Sequence, residues 1–267
     1  MQPTSRIIVI VCAIFILVST LLIHFRSRPY PKLQLELPLT NHAGTYRETI
    51  FPAYDSDHPA WSSRVAHLFP GHYTVALVDH PNNDSASAPW LETTFEERHA
   101  LLAINGGYFD ANLRPIGWRV IGGQETSPPI HSPPYSAVFC ITADAVSHIS
   151  WVQDAPPHPI LAIQSGPLLV EPGGQIGIHP PAGPIAFRTL LALTPGGNLL
   201  VITTTPVSLL HLAQALTEHP ESFGADRIDS ALNLDGGPST GMFVQTPTTT
   251  FRFPAPGPLR EALIITP

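Results

Sequence analysis

Lysine is almost missing from this chain: of 13 basic residues only Lys32 is a lysine. Charge of either sign is scarce, at 12% of residues, well below the roughly 25% of a typical globular domain. What charge there is runs acidic. From Pro29 onward 10 basic residues face 20 acidic ones, a net of -10. A nucleic-acid surface needs the opposite balance to neutralise phosphates, so nucleic acid is excluded as a partner. Cysteine occurs only at Cys12 and Cys140. Cys12 lies in an apolar N-terminal run, which leaves Cys140 without a partner downstream and excludes an internal disulfide framework. The 13 histidines include no H-E-x-x-H or comparable spacing. His211 and His219 share a helix face with no ligand between them. No catalytic metal or other cofactor is therefore expected, although loop carboxylates leave room for a calcium or magnesium ion. A nucleophile elbow, G-x-S-x-G, is absent as well.

Proline, by contrast, is abundant at 31 residues. The prolines interrupt apolar runs without forming a repeat, which reads as many strands and turns. Near the N-terminus, Ile7 to Phe25 has no formal charge beyond a possible one on His24. As a helix these residues would span roughly 28 Å, close to the hydrocarbon thickness of a bilayer. No clear A-x-A cleavage site follows. Residues 1–28 are therefore expected to be an uncleaved signal anchor that ties the protein to a membrane, with a cleaved signal peptide as the alternative. Arg6 on one side and Arg26, Arg28 and Lys32 on the other leave the orientation open. Residues 29–50, polar and proline-bearing, read as a linker, and 51–267 as one domain.

Within that domain "HYTVALVDH" (His72 to His80) reads as the first clear strand by its β-branched content. "YSAVFCIT" and "VSHISWV" read as strands around a tight turn. "IAFRTLLALTPGGNLLVITTT" reads as two strands around a Pro-Gly-Gly-Asn turn. "VSLLHLAQALTEH" (Val207 to His219) carries apolar residues at helical spacing, with Ser208 to cap it and Pro220 to stop it. The expected fold is α+β, a strand-rich mixed sheet or sheets with a few flanking helices.

Two stretches carry a chemical signal. In "LNLDGGPST" an apolar strand ends on Asp235, followed by Gly236, Gly237, Pro238, Ser239 and Thr240. Glycine permits positive φ and close backbone approach, and consecutive N–H groups in such a turn form an anion-binding nest. A carboxylate where a buried strand emerges is a natural place for a shifted pKa. The competing reading is a structural turn that Asp235 caps. "AINGGYFD" repeats the pattern with Asn105, Gly106 and Gly107. There Tyr108 and Phe109 stack on a sugar or fill the core, and Asp110 is a second carboxylate or a loop cap. "QSGPLLV" places Gln164 and Ser165 at a strand break, as ligand donors or turn residues. Arg188 interrupts an apolar strand, either facing outward or clamping a phosphate.

In this order "AINGGYFD", "QSGPLLV", "FRTLLAL", "VSLLHLAQALTE" and "ALNLDGGPSTGM" resemble the phosphodiester glycosidase family. The resemblance covers about Tyr73 to Pro267. It departs from the commoner pattern at Pro238, where a third glycine is frequent and where proline lacks an N–H. The resemblance implies hydrolysis of a sugar joined through its anomeric carbon to a phosphodiester. It also implies a domain outside the cytoplasm, since many bacterial relatives are associated with the envelope or exopolysaccharide. A non-catalytic protein that binds envelope polysaccharide is the alternative. Catalysis would fall to Asp235, with Asp110 second. Substrate contacts would fall to Asn105, Gly106, Gly107, Gln164, Ser165, Arg188, Gly236, Gly237, Ser239 and Thr240.

Overall fold

The structure, a computed structural model, describes residues 29–55, 59–80 and 87–267. The expected anchor, 1–28, lies outside the described residues. Among the described residues no helix is long and apolar enough to cross a membrane.

Strands β1 (Lys32–Pro38), β2 (Gly44–Phe51) and β3 (Trp61–Leu68) open the chain. β4 (Thr74–Asp79) precedes helix α1 (Ser87–Glu97), which leads into β5 (Leu102–Asn105). β6 (Arg119–Ile121), β7 (Gln124–Ser127), β8 (Ala137–Ile141) and β9 (Ser147–Trp151) follow. Next come β10 (Leu161–Ser165), β11 (Leu168–Glu171) and the short β12 (Gln175–Ile176). The long hairpin β13 (Ala186–Leu193) and β14 (Leu199–Val207) runs into helix α2 (Leu209–Glu218). β15 (Ser230–Asn233), β16 (Met242–Gln245), β17 (Thr250–Phe253) and β18 (Glu261–Thr266) complete the described strands.

These strands make three sheets. The largest runs β1-β2-β3-β14-β13-β15-β11-β12; the others run β7-β6-β10-β8-β9 and β17-β16-β5-β18-β4. The α+β class with few helices holds. A mixed sheet does not: every pairing among the described strands is antiparallel. Sequence neighbours such as β13 and β14 join through short turns, and a parallel pair would need a longer crossover.

Residues 29–50, expected as a linker, instead contain β1 and all but the last residue of β2, both in the largest sheet. β1 is an edge strand with no buried residue, so its alternation "KLQLELP" looks like solvated chain. β2 is the opposite case, with Tyr46 fully buried and stacked on Phe251.

Each helix covers one sheet. α2 presents Leu212, Ala213 and Leu216 to Val65, Leu190 and Ile202. Ser208 caps it, its hydroxyl accepting from the His211 amide over 3.2 Å. α1 lays Leu91 and Phe95 on Ala103, Phe243 and Ile264. Between the three sheets lies a shared core in which Tyr46, Ile104, Phe139, Ile163, Leu191 and Met242 meet. Each such buried side chain contributes about 1.5–3 kcal/mol. That shared core fixes where the strands of different sheets end relative to one another.

Candidate active site

Three strand ends, one from each sheet, converge. β5 ends on Asn105, β15 ends on Asn233 and β10 ends on Ser165. The Asn105 amide Nδ2 donates to the Asp235 carbonyl over 2.8 Å, and the Asp235 amide donates back to the Gly106 carbonyl over 3.4 Å. The Ser165 hydroxyl donates to the Asn233 carbonyl over 2.8 Å. The two Gly-Gly junctions and the Ser-Gly-Pro break are therefore in direct contact.

Several residues expected to touch a ligand are committed to this join. Asn105 is buried; its Nδ2 also donates to the Gly106 carbonyl, and its Oδ1 accepts from the Thr189 hydroxyl at 2.8 Å and the Gly241 amide at 3.2 Å. A primary amide offers two donors and two lone pairs, so none is left for a sugar. Gln164 is equally occupied. It accepts from the Trp118 and Ile130 amides at 2.6 and 3.0 Å and donates to the Ile130 and Tyr135 carbonyls, both at 2.6 Å. It staples the 128–136 loop to β10.

The first Gly-Gly pair faces protein rather than ligand. The Gly106 amide donates to the Glu261 carbonyl over 2.9 Å, and the Gly107 amide to the Glu261 carboxylate over 3.1 Å. A Cβ at Gly106 would collide with the Glu261 Cγ. Gly106 is required because the buried Glu261 side chain packs directly on the turn, while a Cβ at Gly107 would press on Ile163. Glu261 in turn meets the Arg119 Nε at 2.5 Å, and Arg119 also contacts Asp79, which Arg260 reaches at 3.1 Å. The sequence reading missed this network. Its signal was present: Glu261 is the lone charge in "EALIITP", and a charge that opens a buried strand needs a partner.

Asp110 caps its own loop. Its carboxylate accepts from the Asn112 and Arg114 amides at 2.8 and 2.9 Å. The Arg114 amide, then that of Asn112, holds its pKa below the ordinary value. These contacts are those of a loop cap.

Asp235, Tyr108 and Arg188 remain. Asp235 is half-buried, and burial pushes its carboxyl above the usual value. The Ser239 hydroxyl and the Gly236 amide, which donates to Oδ1 over 2.9 Å, oppose the shift. Ser239 is itself buried and bonded to the Pro258 carbonyl over 3.1 Å. Thr240 Oγ1 is buried without a hydrogen-bond partner among the described residues. Gly236 is forced by close approach, since a Cβ there would sit 2.8 Å from the Phe187 carbonyl, while Gly237 takes φ 59° with open space around it.

The backbone of Arg188 is thus against the Gly-Gly turn. A bulge in the β13–β14 register falls between Ala186 and Arg188. Bulges re-aim side chains, and here Phe187 is exposed while Arg188 is buried. The Arg188 Nε donates to the Val207 carbonyl over 3.0 Å, and Nη2 donates to the Pro184 carbonyl. Among the described residues no carboxylate makes an ion pair with it; backbone carbonyls hold it inward. Burial lowers its pKa, and the Tyr108 hydroxyl opposes that. Two carbonyl bonds use two of the guanidinium's five N–H donors.

Tyr108 feels both charges. Burial raises its pKa first; Asp235 adds to the rise and Arg188 counters it. Its hydroxyl accepts from the Asn233 Nδ2 over 2.7 Å and donates to the Gly166 carbonyl at 3.3 Å. Tyr135 packs edge-on against its ring. One half-buried carboxylate, one neutral phenol and one buried guanidinium thus share a neighbourhood at the strand ends. Chemically, it can hold an anion beside a carboxylate that is ready to take or give a proton.

A model of the phosphodiester glycosidase family matches residues 98–265, more than half of the chain. No curated protein matches. Solved structures do. One is the zebrafish N-acetylglucosamine-1-phosphodiester alpha-N-acetylglucosaminidase catalytic domain, auto-inhibited by its pro-peptide. It is similar at 18% identity and TM-score 0.64, over 89% of this chain and 88% of that one. A hypothetical protein from Synechocystis is similar at 15% identity and TM-score 0.53, over 83% of this chain and 61% of that one. A protein of Burkholderia pseudomallei K96243 described as exported is similar at 13% identity and TM-score 0.55, over 79% and 76%. At these identities the structures establish a shared fold.

Proposed function

The chain belongs to the phosphodiester glycosidase family, and from that membership we propose that it hydrolyses a sugar-1-phosphodiester at the anomeric carbon–oxygen bond. Water's oxygen ends on the anomeric carbon, and its proton ends on the departing phosphate monoester. The observation that carries this reading is the 2.8 Å bond from Asn105 to the Asp235 carbonyl, which joins both Gly-Gly junctions. It holds the Asp235 carboxylate in the neighbourhood of Arg188 and Tyr108.

A phosphate monoester has a second pKa near about 6 and leaves without full protonation. The reaction therefore demands less of a strong general acid than ordinary glycoside hydrolysis does. It demands charge stabilisation at phosphate, and the remaining Arg188 donors supply it. The Tyr108 hydroxyl, kept neutral by burial, puts no repelling charge beside the phosphate, its proton being donated to the Gly166 carbonyl. Asp235 stabilises the oxocarbenium-like centre or activates the water; a carboxyl pKa raised toward the working pH suits proton exchange. No cofactor is assigned a step.

The protein is proposed to act outside the cytoplasm, anchored by the apolar run from Ile7 to Phe25, on a carbohydrate phosphodiester. The test is a panel of sugar-1-phosphodiesters incubated with purified protein, with release of free sugar as the readout. Release from at least one member that disappears in Asp235→Asn supports the enzyme. Binding without release, unchanged by that substitution, would replace it with a non-catalytic envelope protein that binds such linkages.

A further inference from the structure

Beside Arg188 a groove opens that the catalytic reading leaves unused. Its walls include Pro29, Phe51, Trp61, Ile185, Val207 and His211. Two features tie it to the guanidinium. Val207 lines the groove while its carbonyl accepts from the Arg188 Nε. Ile185 lines it too, and the residue before it, Pro184, accepts from Nη2. The groove thus begins at the backbone that holds the phosphate clamp.

Its chemistry is apolar. Five of its lining residues are prolines, and proline supplies no N–H donor. Phe51 and Trp61 stack face to face with centroids 3.9 Å apart. Ile185 stands half exposed. The Ser208 hydroxyl is occupied in capping α2. His211, Gln214 and Glu218 of α2, with His219 and Tyr54, supply its polar part. A chain of methylenes gains from such a wall by leaving water, whereas a polyol would exchange water for few partners.

The groove also lies close to where the chain leaves its apolar N-terminal run. Pro29 lines it, and only Arg26, Ser27 and Arg28 separate it from Phe25. That stretch spans at most about 14 Å in any conformation. A run seated in a bilayer would therefore hold the groove near the lipid surface.

Resting on the hydrolase reading above, we infer that this groove receives the alcohol side of the phosphodiester and that this alcohol is apolar: the substrate is a lipid-linked glycosyl phosphodiester. The phosphate sits on Arg188, the sugar lies toward Asp235, and the alkyl chain runs along Ile185 toward Trp61. Hydrolysis leaves free sugar and an alkyl phosphate that still fills the groove.

The test uses the full chain in phosphatidylcholine nanodiscs, with empty nanodiscs as the blank. Methyl, ethyl and butyl phosphate stand in for the product and are titrated calorimetrically; glucose 6-phosphate is the polar control. Each buried methylene should tighten binding about fourfold, so butyl phosphate should bind at least about tenfold tighter than methyl phosphate. Ile185→Ser, at a half-exposed position that tolerates polarity, should flatten that series and leave methyl phosphate unchanged. Equal affinity for methyl and butyl phosphate, no binding of either, or tighter binding of glucose 6-phosphate than of butyl phosphate, overturns the inference. Hydrolysis of methyl and butyl glycosyl phosphodiesters separates this from the parent reading. Equal KM for the two sinks the apolar groove and leaves the hydrolase standing. Turnover of neither counts against the hydrolase, and the alkyl phosphate series then still decides the groove.

Discussion

Asn105 and Asp235 are 130 residues apart in sequence, and the amide of the first holds the backbone carbonyl of the second over 2.8 Å. The bond crosses from one sheet to another, because Asn105 ends β5 and Asp235 follows β15. Asn105 also satisfies the Thr189 hydroxyl and the Gly241 amide. Asn105→Ala should therefore leave buried polar groups unpaired at about 1–3 kcal/mol each. Thermal melts of the variant should show a large loss of stability, and the surviving folded fraction should turn over poorly because the Asp235 backbone is released. A stable, fully active Asn105→Ala would show that the join is dispensable.

Asp110→Ala should leave turnover unchanged. Its Oδ1 accepts from both the Asn112 and Arg114 amides, so the loss falls on the loop. The folded pKa is depressed, so the stabilising effect is present above the unfolded carboxylate value near about 3.9 and fades as pH falls through the folded value. Wild type and variant should thus differ slightly in melting temperature at neutral pH and converge in acid. A kcat collapse in Asp110→Ala would restore it as a second catalytic carboxylate.

What the sequence made legible was local. The Pro-Gly-Gly-Asn turn between β13 and β14, the Ser208-capped helix α2 and the strand end at Asn105 each announce themselves within ten or so residues, whereas the strand before Asp235 stops two residues earlier than expected, at Asn233. What it hid depends on contacts between distant segments. Asn105 and Gln164 look like ligand donors because an amide after a strand can serve that use; only the fold reveals that both are saturated. Arg188 reads equally well as outward or inward because a bulge at Phe187 resets the alternation, and nothing in "IAFRTLLAL" encodes a bulge. β1 escaped notice because none of its residues is buried.

Glu261→Gln should be among the most damaging substitutions outside the Asp235 neighbourhood. Glu261 and Arg119 are both nearly inaccessible, with side chains 3% and 4% exposed. Removing one partner of a buried pair typically costs about 3–5 kcal/mol, because the other charge stays buried. Glutamine also weakens the bond from the Gly107 amide. Urea melts should show that loss, and the double variant with Arg119→Met should recover part of it, since the stranded charge is gone. Strict additivity of the two single variants would mean that the pair is not coupled.

Arg188→Lys should fail even though it keeps the charge. The guanidinium makes two directed bonds, to the Val207 and Pro184 carbonyls, which leaves three of its five N–H donors for an anion. An ammonium is a point charge that cannot reproduce that fork. Phosphate affinity and kcat/KM should both fall per folded molecule, and the melting temperature should drop as the Val207 and Pro184 carbonyls lose their donors. Unaltered phosphate affinity in the lysine variant would remove Arg188 from the anion site.

Asp235→Asn separates catalyst from cap most directly. The swap keeps size and the acceptor for the Gly236 amide, so the turn should survive. Burial raises the carboxyl pKa in the folded protein. The folded state therefore binds that proton more tightly than the unfolded chain does. Protonation then stabilises the fold, an effect fully present below the unfolded value near about 3.9 and lost as pH rises through the folded one. At neutral pH wild type carries a half-buried charge that the variant lacks, so Asp235→Asn should melt at the same temperature or higher. Toward pH 4 the difference should shrink. Turnover should move the other way. A charge needed at the transition state lowers kcat tenfold for each 1.36 kcal/mol lost, while affinity for the product phosphate should hold or improve without the neighbouring carboxylate. A capping aspartate would give the reverse: a lower melting temperature and activity that tracks the folded fraction. The combination of raised stability, kept phosphate binding and lost turnover is therefore specific to a catalytic Asp235.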